Sequence, residues 1–165
     1  MLKNYFEDEV IWQKFYDTVL TYVGTPFFHL GRVKGRGLDC SSFVGMLLLE
    51  CGILKEFPTD YYPTNYYVSN PTRLIEKMKE HLLFLTSPEL KCYEREVIDK
   101  KETLYRGDVF LIWTIKKEIA NHSAIYLGND MVVHCREKGG VEIRRFSNSI
   151  LEDRIKHIFT LQKEV

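Results

Sequence analysis

The sequence predicts an α+β fold in which helices from the first third of the chain pack on an antiparallel β-sheet made by the last third. Three observations lead there. Apolar side chains recur at three- and four-residue spacing between residues 7 and 23, and residues 40–50 are apolar on almost every side. From Asp108 onward the pattern changes to short β-rich runs divided by turn signals. Helices first and sheet second is the order of α+β domains.

Trp12, Phe15, Val19 and Tyr22, with Tyr16 and Val23 beside them, make one apolar face and place an amphipathic helix over about 7–23. Gly24 ends it, and Pro26 prevents its continuation. A glycine-rich loop follows, Gly31-Arg-Val-Lys-Gly-Arg-Gly37. Asp39 is then the N-cap of a second helix from Cys40 to about Glu50, with Gly52 as its closing residue. Phe43, Val44, Met46, Leu47, Leu48, Leu49 and Cys51 surround that helix with apolar surface, so it is expected at the centre of the molecule.

Residues 53–105 read as an insertion: a segment rich in proline and tyrosine (Tyr61, Tyr62, Tyr66, Tyr67), a helix over about 71–83, and a charged stretch ending at Lys101 and Glu102. The tyrosines either roof a cleft or pack against it. Strands are expected at 109–114, 122–127, 131–135 and 141–145, a helical turn at 150–155 and a last strand at 157–161. Turn signals at Gly128-Asn-Asp130 and Gly139-Gly140 imply antiparallel pairing. With a three-residue loop at 128–130 and no bulge, Ala124 pairs with His134, and His122 and His134 share a face as diagonal neighbours. A two-residue loop would put them on opposite faces.

The 165 residues fit one domain, 1–165, with the insertion inside it. Apolar residues at 45% supply a core and exclude global disorder. Lys plus Arg and Asp plus Glu both number 23, so no net positive field favours nucleic acid or an anionic membrane as partner. No apolar run approaches the roughly 20 residues of a membrane-spanning helix. Glu7, Asp8 and Glu9 stand where a signal peptide would be apolar, so no signal peptide is expected, and the expected location is cytoplasmic unless another route delivers the protein. The cysteines at 40, 51, 92 and 135 show neither a C-x-x-C pair nor structural zinc spacing, and no cofactor or metal is called for.

Cys40 has the setting of an activated nucleophile. It opens a helix, where the dipole and free N–H groups stabilise a thiolate and can hold an oxyanion, and a glycine-rich approach leaves space beside it. The bland reading is a small buried residue. His122 and His134 are the partners to pair with it, as base and orienting group, if the hairpin places them together. The same three residue types also permit a zinc site.

The runs Gly24-Thr-Pro-Phe-Phe-His-Leu-Gly31, Gly37-Leu-Asp-Cys-Ser-Ser-Phe-Val44, Arg106-Gly-Asp-Val-Phe110, Asn121-His-Ser-Ala-Ile-Tyr-Leu-Gly128 and Met131-Val-Val-His134 resemble the NlpC-type family of papain-like cysteine peptidases over nearly the whole chain. The resemblance implies a papain-like NlpC-type fold whose central helix starts at the nucleophile. It implies Cys40, His122 and His134 as catalytic residues, and a peptidoglycan-derived peptide as substrate, cut beside γ-linked D-glutamate. It implies substrate contacts from Asp39, as ligand of a substrate amine, and from Ser41, Phe27, His29 and Arg32. The loop at 31–37 and His29 look closest to the branch found in phage tails and gene-transfer particles, which would make phage tail proteins partners and the virion a location. On the same fold, an amidase or acyltransferase and an inactive tail-assembly or binding module are the alternatives.

Three positions depart from the family pattern. Ser42 replaces the usual glycine two places after the nucleophile, Phe27 replaces a tyrosine whose hydroxyl helps hold substrate, and Ala124 replaces the glycine of H-x-G. Arg106-Gly-Asp108 spells an adhesion tripeptide and Asn121-His-Ser123 a glycosylation sequon, but Gly-Asp before a strand is the family's own pattern and a sequon needs export. Arg32, Lys34 and Arg36 stand near the cysteine and could bind a carboxylate or phosphate, but the loop lacks the Gly-Lys-Ser/Thr ending of a P-loop, and its default reading is a solvated basic loop. His81 and His157 read as packing or surface residues.

Overall fold

The computed structural model describes residues 1–95, 97, 104–147, 149 and 151–165. Helix α1, Glu9–Tyr22, starts where Asp8 Oδ1 accepts the amides of Val10 and Ile11 at 2.9 and 3.1 Å, and it buries the Trp12, Phe15, Val19 and Tyr22 stripe. Helix α2, Cys40–Glu50, is the buried centre, with Phe43, Val44, Leu47 and Leu48 almost inaccessible. Gly52, at φ +71°, turns the chain out of it. Two short helices follow, α3 (Tyr66–Ser69) and α4 (Arg73–Lys79). The last turn of the expected 71–83 helix widens into a π-turn, Glu80–Phe84.

The strands are β1 (Leu2–Asn4), β2 (Arg32–Val33), β3 (Gly37–Leu38), β4 (Leu90–Arg95), β5 (Val109–Ile112), β6 (His122–Gly128), β7 (Met131–Arg136), β8 (Gly140–Arg145) and β9 (Ile155–Glu164). Among the described residues, β2 and β3 form a small hairpin and the other seven form one antiparallel sheet. Its backbone order runs β9-β5-β6-β7-β8. β1 pairs with the C-terminal end of β9 at 162–164, while β4 pairs with 158–163 and overlaps both β1 and β5, which puts it along the other edge. Two strands of this sheet, β1 and β4, lie outside the sequence expectation, as do β2 and β3 of the small hairpin. β1 has three residues, too few for a periodic signal, and β4 carries the charges Lys91, Glu94 and Arg95 and, among the described residues, pairs with β9 alone.

Residues 53–95 are packed into the same body. Ile53, Leu54, Leu74, Met78, Leu82 and Leu90 join the core that holds α1, α2 and the inner face of the sheet. The charged stretch that ends at Lys101 and Glu102, and the start of the helical turn at Ile150, lie outside the described residues; a short 3-10 turn is present at Glu152–Arg154.

The β6–β7 connection combines the two geometries the sequence left open. Asn129 and Asp130 both have positive φ (49° and 63°) and form a two-residue turn, with Gly128 paired to Met131. Such a turn alone would place His122 and His134 on opposite faces. A bulge at Leu127 shifts the register, so that Tyr126 faces Val132 and Ile125 faces Val133. Continued by one pair, this register sets Ala124 opposite His134 and brings the two histidines onto one face.

Candidate active site

The start of α2 and the start of β6 meet at the bottom of a cleft of about 320 Å³ lined by Cys40, His122 and His134. Asp39 caps α2 with Oδ1, which accepts the Ser42 amide at 2.9 Å, and the Ser42 hydroxyl accepts the Asp39 amide at 2.9 Å and donates to the Gly31 carbonyl at 2.5 Å. Ser42 therefore closes a capping box and ties the helix start to the glycine loop, which a glycine here could not do. Ser123, the residue after His122, donates to the Cys40 carbonyl at 2.9 Å and docks the strand on the helix.

His122 Nε2 lies 2.8 Å from His134 Nδ1, and His134 Nε2 lies 3.1 Å from Glu142 Oε1. His134 and Glu142 are direct cross-strand partners on β7 and β8, a pairing that strand registers fix but a sequence pattern does not announce. Glu142 also accepts from Arg136 Nε at 2.7 Å and faces Arg144 Nε at 2.9 Å. The two imidazoles hydrogen-bond to each other directly, and among the described residues no group of three or more His, Cys, Asp or Glu is placed to hold a metal ion. A zinc reading has no geometric support.

Burial dominates the titration of the pair. It pushes the Cys40 thiol up to about 12, with the Asp39 carboxylate adding to the rise and hydrogen bonds from Ser123 and Ser41 opposing it. The depressed thiol expected from a helix N-terminus is thus reversed. Burial likewise takes His122 down to about 3, helped by His134, and lowers His134 against the pull of Glu142. The resting site holds a neutral thiol and neutral imidazoles.

The tyrosine segment roofs one side of the cleft. The Tyr62 hydroxyl donates to Asp39 Oδ2 and lies 3.0 Å from Ser41 Oγ, while Ser41 Oγ donates to Asp39 Oδ1 at 3.2 Å. His29 Nε2 meets the Tyr62 carbonyl at 2.7 Å, and the Arg73 guanidinium lies 4.0 Å over the Tyr62 ring while pairing with Asp60. Tyr66 donates to the Asn121 carbonyl at 3.3 Å, just before His122. Of the expected substrate contacts, Asp39, Ser41, Phe27 and His29 line the Cys40 cleft. Arg32 lies elsewhere: its guanidinium donates to the Phe57 and Pro58 carbonyls, stacks on Phe57 at 4.3 Å and lines a cavity of about 50 Å³ behind the cleft. Tyr62, Tyr66, Arg73 and Glu142 complete the site and carry no short-range motif.

The remaining motifs have structural uses. Asp108 is 1% exposed and bonded to Arg95, Thr160 and Tyr105, so the Arg-Gly-Asp tripeptide presents no free carboxylate. Asn121 latches the preceding loop through Thr114, and Lys34 pairs with Glu50. His81 packs edge-on against Phe57, and His157 pairs with Glu94.

Helices packed on an antiparallel sheet, with a cysteine opening the central helix and a histidine pair on the adjoining strands, define a papain-like architecture. The family model for the NlpC/P60 family matches residues 24–160, and the chain belongs to that family. Among solved structures, the chain is similar to an NlpC/P60 family protein from Bacillus cereus ATCC 10987 at 20% identity, with a TM-score of 0.56 over 89% of this chain and 39% of that one. A lipoprotein-like NLP/P60 family protein from Staphylococcus aureus Mu50 matches at 18% identity, TM-score 0.54, over 92% and 41%. The NlpC/p60 domain of the peptidoglycan hydrolase SagA matches at 16% identity, TM-score 0.50, over 89% and 96%. These likenesses establish the fold, and the chain spans about two fifths of the length of the first two. Among curated proteins no match was found. No helix among the described residues is long and apolar enough to cross a membrane.

Proposed function

We propose that the protein is a cysteine peptidase that hydrolyses amide bonds in peptidoglycan stem peptides, beside γ-linked D-glutamate. One observation carries this reading: Cys40 opens a capped buried helix in the cleft that holds the hydrogen-bonded row His122, His134, Glu142. In the reaction, Cys40 Sγ attacks the amide carbonyl while His122 takes the thiol proton. The tetrahedral oxyanion faces the free N–H groups of the first turn of α2. Collapse expels the amine, which receives the proton from His122, and leaves a thioester. Water, deprotonated by His122, then attacks the thioester and restores the thiol. Because both groups rest neutral, the proton moves as the S–C bond forms, and charge separation is deferred to the transition state.

Asp39, with the hydroxyls of Ser41 and Tyr62, forms the polar wall that receives a substrate amine. Tyr62 supplies the hydroxyl that Phe27 lacks. The loop at 31–37 and His29 support a role on a phage tail, which would carry the enzyme to the wall. Digestion of purified wall fragments followed by mass spectrometry tests the reading. Fragments split at the γ-D-glutamyl bond are expected, and they should be absent with Cys40→Ala. Cleavage at the sugar–peptide amide would instead make the protein an amidase. No cleavage by folded wild type would make it a binding module.

A further inference from the structure

We propose that Glu142 is the positioning residue that sets the proton arrangement of the histidine pair, and thereby aims the free nitrogen of His122 at the nucleophile. The proposal rests on the peptidase reading for its kinetic consequence, but its geometry stands apart. A carboxylate only accepts hydrogen bonds, so the nitrogen of His134 that meets Glu142 Oε1 at 3.1 Å, Nε2, must carry the hydrogen. A neutral His134 then has its lone pair on Nδ1. Across the 2.8 Å contact His122 Nε2 must donate, which leaves His122 Nδ1 without a proton. That nitrogen is the one available to take the Cys40 proton. Reversing the chain would put a hydrogen on Nδ1 and abolish the base.

The carboxylate is built to stay where it is and stay ionised. Arg136 Nε at 2.7 Å and Arg144 Nε at 2.9 Å hold Oε1 from two strands, and these partners, with His134, keep Glu142 below the usual carboxylate range. A Cβ at Gly139 would lie 2.9 Å from the Arg136 guanidinium and 3.1 Å from Glu142 Oε2, so the bare backbone there leaves room for the ion pair. Because the two arginines offset the charge of Glu142, its effect on His134 is directional: it fixes which nitrogen is protonated and does not make the imidazole cationic.

The test compares wild type, Glu142→Gln and Glu142→Ala by nitrogen-resolved NMR of the histidine rings at pH 7 and by hydrolysis of wall peptide. The amide oxygen of Gln still accepts from His134. Glu142→Gln should therefore keep the Nε2–H form of His134 and most of the activity. Glu142→Ala should mix the two tautomers and lower kcat by about 10- to 100-fold, the range for removing the outer partner of an orienting histidine, with KM changed less than about twofold. A pure Nε2–H form and unchanged kcat in Glu142→Ala would overturn the proposal and leave Glu142 as a partner of two arginines. A loss in Glu142→Gln as deep as in Glu142→Ala, with its tautomer intact, would overturn it as well. If wild type cleaves no wall peptide, the peptidase reading falls, and the ring tautomers alone decide the role of Glu142.

Discussion

At the scale of single residues, the proposed reaction depends on three side chains whose roles differ in kind. Cys40→Ala removes one sulfur at the start of α2, so it should abolish hydrolysis while costing on the order of 1 kcal/mol or less in stability, read by thermal melts. In the proposed reaction His122, which lines the cleft with Cys40, takes the thiol proton, while His134 bonds to His122 and Glu142. His122→Ala should therefore eliminate activity, whereas His134→Asn, which still offers a hydrogen-bonding group, should retain a measurable fraction. Equal and complete loss in two folded variants would erase that distinction. Tyr62→Phe keeps the ring under Arg73 and removes only the hydroxyl on Asp39 and Ser41. A rise in KM of about tenfold with little change in kcat is expected, as for one hydrogen bond to a charged group, and an unchanged KM would remove Tyr62 from substrate binding.

At the scale of elements, Cys40, the proposed nucleophile, is placed by how α2 begins and by what packs along it. Ser42→Ala opens the capping box and strands the Asp39 amide and Gly31 carbonyl, so a loss of about 1–2 kcal/mol is expected in denaturant melts. Gly45, on the next turn, has the Phe57 ring against its backbone: an added Cβ would lie 2.2–2.4 Å from three ring atoms. Gly45→Ala should thus displace Phe57 and cost about 1–3 kcal/mol. These elements also show how far a single sequence can be read. α1 and α2 were legible because an apolar stripe and an Asp cap are local signals, and β5 to β8 because alternation and turns are. Glu142 and Tyr62 were not legible as site residues, since each reaches the site through a cross-strand or long-range contact. Residues 53–95 were only partly legible, because their tyrosines carry no short-range period and β4 is charged. The hairpin is the instructive case. A three-residue loop and a two-residue turn with a bulge give the same register, and only the fold distinguishes them.

At the scale of the molecule, burial of neutral titratable groups sets the pH range of stability. His122, His134 and His81 all have folded values below the ordinary 6.5, chiefly because burial disfavours the charged ring. The unfolded chain therefore binds more protons as pH falls below 6.5, and stability must fall with it. Between 6.5 and 4.5, above the ordinary range of glutamate, each such histidine contributes a slope of at most about 1.4 kcal/mol per pH unit. On the alkaline side, Cys40, Cys92 and Cys135 are pushed from 9.0 to about 12, so the unfolded chain loses protons first and stability falls again above 9. Melting temperature should be highest between pH 6.5 and 9, with a shallower acid limb in His122→Asn. A profile still rising as pH drops to 5 would contradict the buried neutral pair.

The central claim is that Cys40 is the atom that attacks a wall peptide. Its most direct test is covalent trapping with a stem peptide in which a nitrile replaces the scissile amide, followed by intact-protein and peptide mass spectrometry. The account predicts one adduct per chain, on Cys40 alone, formed in wild type and lost in His122→Ala. Labelling of Cys51, Cys92 or Cys135 at a comparable rate, or no adduct on a folded wild type that binds the peptide, would contradict it.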